Sequence, residues 1–204
     1  MSWYAIAIAI AASVIGYFIG AINPAALIAR VRGVDIRSTG SGNPGATNTG
    51  RVLGPKWGVL VGALDIAKGL LPALAFHLFV GELAGAIAGL AAVVGHVTSP
   101  YLKGRGGKGV ATTLGAILGV QPWLAVPVLI VFGITVAITR TVGIGAIAGA
   151  IALLASGVAC VLLGFAVTGW FAVILAVIVL SRHRRNVIRA FRRSTGESFD
   201  DPQA

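Results

Sequence analysis

The chain has 204 residues, a mean hydropathy of +0.93 and only 11% charged side chains. A water-soluble domain cannot hide that much apolar surface, so composition excludes a soluble enzyme and points to an integral membrane protein. The net charge of +10 would suggest nucleic acid in a soluble chain. Here the cations cluster between apolar runs, so membrane topology accounts for them and no nucleic-acid partner is expected.

Residues 3–29 are apolar throughout, with Gly16 and Gly20 as small packing positions, and predict a first span. No Lys or Arg precedes this run and it is longer than the apolar core of a signal peptide, so it reads as uncleaved. Residues 30–56 form a polar, glycine-rich connector that carries Ser41, Asn43, Thr47, Asn48 and Arg51. Turn formers alone would explain its composition, but so long a connector in a compact bundle argues for function.

The run 57–80 predicts a second span that contains Asp65 and Lys68, three residues apart and therefore on one helix face. Charges inside a membrane segment cost a few kcal/mol even on lenient scales, so these two should pair or line a polar cavity. A structural pin and a site role both fit them. A third span, about 83–99, ends near His96, for which capping, packing and catalysis all remain open; His77, isolated among apolar residues, reads as structural. Residues 110–120 are apolar but short of the roughly 20 residues of a crossing helix. After Gln121-Pro122-Trp123 come three more runs, 124–139, 142–163 and 166–181, and then a basic tail, 182–204.

With 110–120 counted as a thin or partly inserted span, there are seven. If the N-terminus lies outside, the outer connections hold no Lys or Arg, and every basic residue except Lys68 falls on the cytoplasmic side. The expected fold is therefore an all-α single domain of seven spans, N-terminus outside and C-terminus cytoplasmic, with glycine-rich cytoplasmic loops forming the site.

The stretch Lys103-Gly104-Arg105-Gly106-Gly107-Lys108-Gly109 leads into a predicted helix. Pliable backbone, fixed cations and a helix N-terminus make an anion site, with phosphate the expected anion. It fails the nucleotide-binding P-loop pattern twice, because Leu102 stands where a glycine is required and Gly109 where Ser or Thr is required. In the tail, His183, Asn186 and Arg189 would share a helix face. A lipid-headgroup anchor would need the arginines but neither His183 nor Asn186. Cys160 reads as a small core hydrophobe, and no cluster at metal-ligand spacing occurs, so no metal is expected.

Taken together, Gly40-Ser41-Gly42-Asn43-Pro44-Gly45-Ala46-Thr47-Asn48 with Arg51, Asp65-Ile66-Ala67-Lys68-Gly69, Gly95-His96, Gly106-Gly107-Lys108-Gly109-Val110-Ala111-Thr112, and His183-Arg184-Arg185-Asn186-Val187-Ile188-Arg189 with Gly196-Glu197 resemble the bacterial acyl-phosphate:glycerol-3-phosphate acyltransferases (the PlsY type). The resemblance covers nearly the whole chain. It implies a multi-pass enzyme of the bacterial cytoplasmic (inner) membrane that needs no metal or other cofactor. The enzyme would transfer a fatty acyl group from acyl phosphate to the 1-hydroxyl of sn-glycerol 3-phosphate. Its products would be lysophosphatidate and inorganic phosphate, in phospholipid synthesis.

On this resemblance, Ser41, Lys108, His183 and Asn186 are the expected catalytic residues. Ser41, Arg51, Lys108, His183 and Asn186 would bind glycerol 3-phosphate; Asn43, Thr47, Asn48 and the 106–109 segment (Gly106, Gly107, Lys108, Gly109) would hold the acyl phosphate. Asp65, Lys68, His96, Arg189 and Glu197 would support them. The general base stays open between His183, His96 and the substrate phosphate. Membrane lipids are the surroundings, and the chain would act as a monomer or in weak association with the enzyme that makes acyl phosphate. The rival reading is a multipass phosphate or organic-anion transporter, but its usual midplane charges and related halves are not evident here.

Overall fold

The computed structural model describes residues 3–184. Asn186, Arg189 and Glu197, expected in the site, lie outside the described residues. Among the described residues the regular structure is entirely helical, with nine α-helices and two short 3-10 turns.

The first apolar run is not one helix. It divides into α1 (Trp3–Ala21) and α2 (Pro24–Val31). The cause is local: the Asn23 side-chain oxygen accepts the Ala26 N–H at 2.8 Å, and Pro24 occupies the first helical position, where a missing N–H costs nothing. The polar connector holds its own short helix, α3 (Ala46–Leu53), which sequence periodicity does not reveal. The remaining helices are α4 (Pro55–Phe79), α5 (Glu82–Val97), α6 (Val110–Val120), α7 (Ala125–Thr139), α8 (Val142–Leu162) and α9 (Ala166–Arg182). Each begins and ends within two residues of the apolar run expected for it.

Among the described residues, five segments are long and apolar enough to cross a membrane, counting the broken α1–α2 stretch as one. The 11 residues of α6 and the 17 of α9 fall short. At ~1.5 Å per residue, α6 spans ~16 Å, about half of a ~30 Å hydrocarbon core.

Packing is by backbone approach at small residues, as expected where lipid removes any hydrophobic advantage of helix on helix. The main pairings are α1 with α5, α4 with α5 and α6, and α8 with α7 and α9. On α4 and α6, a Cβ at Gly69 would collide with the Thr112 carbonyl, and one at Gly115 with the Ile66 carbonyl. Where α1 crosses α5, Gly16 and Gly20 lie against the Ala88 and Ala92 carbonyls, and Gly95 against that of Tyr17.

Two polar gatherings mark opposite ends of the bundle. At one, Glu82 accepts hydrogen bonds from the Thr168 hydroxyl and, at 3.0 Å, from the Gln121 amide; the Trp123 indole donates back to Gln121. At the other, the three basic segments meet: Arg37 donates to the Leu102 carbonyl and Arg182 to the Gly106 carbonyl, each at 3.4 Å. Gly115→Leu is expected to force α6 off α4, costing about 1–3 kcal/mol and lowering the melting temperature in detergent.

Candidate active site

The break in the first span leaves the Ala21 and Ile22 carbonyls without helical partners, inside a low-dielectric surrounding where an unsatisfied carbonyl is costly. Both are satisfied from elsewhere. The Ser99 hydroxyl donates to the Ala21 oxygen and the Lys68 ammonium to the Ile22 oxygen, each at 2.7 Å. Lys68 is also 2.9 Å from Asp65 Oδ1, which is 3.6 Å from His96 Nδ1. All three ionisable side chains are buried.

The glycine loop lies directly on His96. The Gly106 and Gly107 N–H groups donate to the Val97 and His96 carbonyls, both at 3.2 Å. A Cβ on Gly106 would strike the His96 carbonyl, and one on Gly107 the His96 ring. These two glycines therefore do not offer their amides to an anion as the sequence reading expects. Their N–H groups cap α5, and their missing side chains let the loop sit flat. The next stretch faces the cavity instead, with Lys108, Gly109, Val110 and Ala111 in its lining. Gly109 is in the left-handed region (φ 84°) and precedes α6, whose first N–H groups have no partner within the helix and whose first residues, Val110 and Ala111, line the cavity.

In the first loop Asn48 is a clamp. Its Oδ1 accepts the Ser41 N–H at 2.8 Å, and its Nδ2 donates to the Ile36 and Thr39 carbonyls at 3.2 and 2.9 Å. Side-chain contact between Asn48 and acyl phosphate would break these bonds, so Asn48 positions Ser41 instead. Gly40, at φ +66°, passes so close to the Asn48 oxygen that no side chain fits. Asn23 ties the same loop to the helix break by donating to the Pro44 carbonyl at 3.0 Å.

His183 follows the last turn of α9 and is buried. Its Nδ1 lies 2.8 Å from the Val179 carbonyl. A carbonyl can only accept, so Nδ1 carries the proton and Nε2 keeps its lone pair. Burial pushes the His183 pKa below the ordinary 6.5; the Val179 hydrogen bond opposes this and the Lys108 charge adds to it. The imidazole is neutral at pH 7.

One cavity of about 1100 Å³ collects these groups. Ser41, Asn43, Thr47, Asn48, Arg51, Asp65, His96, Lys108, Gly109 and His183 line it, whereas Lys68, Gly106 and Gly107 stand behind the wall. Its other half is apolar, formed by Leu114 and Ile117 of α6, Val128, Leu129 and Phe132 of α7, and Ile144, Ile147 and Leu153 of α8. Sequence reasoning missed this half. Cavity-facing and lipid-facing positions of a membrane helix are equally apolar, so periodicity carries no signal. Asn23 and Ser99 were missed as well, although a polar residue in an apolar run beside a proline is a readable sign of a break. Among the described residues no group of His, Cys and carboxylates could hold a metal ion.

The cavity thus joins a cationic end to an apolar slot within a bundle of membrane-type helices. The model of the family "Glycerol-3-phosphate acyltransferase" matches residues 10–193. Glycerol-3-phosphate acyltransferases of Geotalea daltonii and Geobacter sulfurreducens are 41% and 43% identical to this chain, over 90% and 91% of it and 93% and 94% of their own lengths. The crystal structure of PlsY (YgiH), an integral membrane glycerol 3-phosphate acyltransferase, is similar in its glycerol 3-phosphate form with a TM-score of 0.83 and 34% identity, covering 95% of each chain. Its lysophosphatidic acid form gives 0.80 over 94% of each. The chain belongs to the glycerol-3-phosphate acyltransferase family.

Two outcomes follow for the site. Asn48→Ala, which strands the Ser41 N–H and two loop carbonyls, should cost about 1–3 kcal/mol in thermal unfolding and lower turnover. Because the folded-state pKa of His183 is depressed, its contribution to stability is fully present above pH 6.5 and is lost as pH falls below that value through the folded pKa. Unfolding midpoints measured against pH should show this loss removed in His183→Gln.

Proposed function

We propose that this protein transfers a fatty acyl group from acyl phosphate to the 1-hydroxyl of sn-glycerol 3-phosphate. The observation that carries the reading is the single cavity in which Lys108, Arg51 and the α6 N-terminus adjoin an apolar slot. Both substrates bring phosphate, and one brings an acyl chain. Family membership supplies the reaction class.

In the proposed mechanism the acyl tail occupies the slot and its phosphate faces Lys108 and the first turn of α6. Glycerol 3-phosphate sits between Arg51, Lys108 and His183, with Ser41 hydrogen-bonding a substrate; Asn43 and Thr47 assist at the acyl phosphate. The 1-hydroxyl oxygen attacks the acyl carbonyl carbon. The bond from that carbon to the phosphate oxygen breaks, its electron pair leaving with phosphate, and the hydroxyl proton passes to Nε2 of His183. The Nε2 lone pair, on a ring that lines the cavity, supports His183 over His96, whose ring is pressed beneath Gly107. Acyl phosphate already has a good leaving group, so positioning and charge stabilisation supply most of the acceleration. Asn186 keeps its expected role beside His183, and Arg189 and Glu197 their supporting roles, on sequence grounds alone.

We further infer seven membrane passes with the N-terminus outside, in the bacterial cytoplasmic membrane. The convergence of basic segments at one end, and of the Glu82, Gln121 and Thr168 connections at the other, supports α6 and α9 as passes despite their length. Acyl phosphate is reactive, which favours close hand-over from the enzyme that makes it. The transporter reading finds no support in the relatives.

Purified protein given palmitoyl phosphate and glycerol 3-phosphate should yield lysophosphatidate without sealed vesicles, and none with palmitoyl-CoA as donor. Lys108→Ala should raise KM for glycerol 3-phosphate at least ~10-fold, since a charge-assisted contact is worth about 1.5–3 kcal/mol. His183→Ala should lower kcat by ~10²–10⁴-fold; near-normal turnover at saturating glycerol 3-phosphate rules His183 out as the base.

A further inference from the structure

The apolar half of the cavity has a floor. Along α8 the lining runs from Val142 at the cationic end to Leu153 and goes no further, a depth of ~16 Å at ~1.5 Å per residue. On α6 the deepest lining residue is Ile117, and on α7 it is Val128. Leu153 and Ile117 are fully buried and belong to the main apolar core together with Leu124, Phe171 and Leu175, none of which lines the cavity. The slot therefore ends against close-packed side chains instead of opening through the bundle, and a packed core does not give way to one more methylene without strain.

We propose that Leu153 and Ile117 form a stop that sets the acyl-chain length this protein accepts, a reading that rests on the acyl-transfer function above. Each methylene inside the slot is worth about 0.8 kcal/mol, or roughly fourfold in kcat/KM. A methylene that meets the stop gains nothing and disturbs the seating of the reacting carbonyl. Preference therefore rises with chain length up to the floor and falls beyond it.

Two substitutions move the floor in opposite directions and touch no group placed in the chemistry. Leu153→Ala deepens the slot into the space its side chain vacates. Ala150→Leu, one turn nearer the cationic end on a lining position, raises the floor by filling the slot itself. The experiment is competition between myristoyl, palmitoyl and stearoyl phosphate at saturating glycerol 3-phosphate, with the lysophosphatidate products resolved by mass.

Leu153→Ala is expected to raise the stearoyl-to-palmitoyl ratio by up to ~15-fold, two methylenes' worth. Ala150→Leu is expected to shift the optimum toward myristoyl by a similar factor, read as the ratio of the three products. An unchanged product profile in Ala150→Leu, with turnover retained, overturns the stop whether or not Leu153→Ala folds. It would mean that the tail leaves sideways between α7 and α8. If the unsubstituted protein makes no lysophosphatidate from any of the three donors, it is the acyl-transfer reading that fails.

Discussion

The bundle depends on one buried ammonium. Lys68 sits in the second span, where a lone charge would be costly, and it is held by the orphaned Ile22 carbonyl on one side and Asp65 on the other. That arrangement explains both halves of the pairing. The break at Asn23 is tolerated because Lys68 and Ser99 take up the freed carbonyls. Lys68 is tolerated because the break supplies an oxygen aimed at it. From there the polar thread continues through Asp65 to His96, and His96 is the surface on which the glycine loop is laid.

The glycines serve two separate ends. Those in α1, α5, α4 and α6 remove side chains from helix crossings so that backbones meet, which holds short α6 in place by its flank. Those in the loop let residues 106 and 107 cap α5 while Gly109 turns the chain into α6. The result brings a helix N-terminus and Lys108 to the mouth of an apolar slot. Under the proposed acyl transfer, a phosphate and a hydrocarbon tail need such opposite surroundings within one molecule's length, and the helix ends and the helix flanks would provide them respectively.

Several parts of this arrangement were legible beforehand. The apolar runs located α4 to α9 because a membrane helix announces itself by length and composition alone, with no need of partners. The pairing of Asp65 with Lys68 followed from residue type and spacing. Other features were not legible. Asn48 reads as one more polar loop residue, yet its amide organises the loop through bonds to Ser41, Thr39 and Ile36. Gly106 and Gly107 look like phosphate ligands, yet their amides are used by α5, a partner fixed only when the loop folds back.

The sequence by itself determined the class of molecule, the order and extent of the helices from α4 to α9, and the chemical character of each loop. Hydropathy and charge are properties of a residue and its neighbours along the chain. Tertiary structure decided which cations share one cavity, which tautomer His183 adopts, where the first span breaks to meet Lys68, and that α6, α7 and α8 enclose an apolar slot. Each of these is a relation between residues far apart in the chain. In a membrane protein the outward and inward faces of a helix are both apolar, so a cavity wall becomes visible only when the helices are assembled around it.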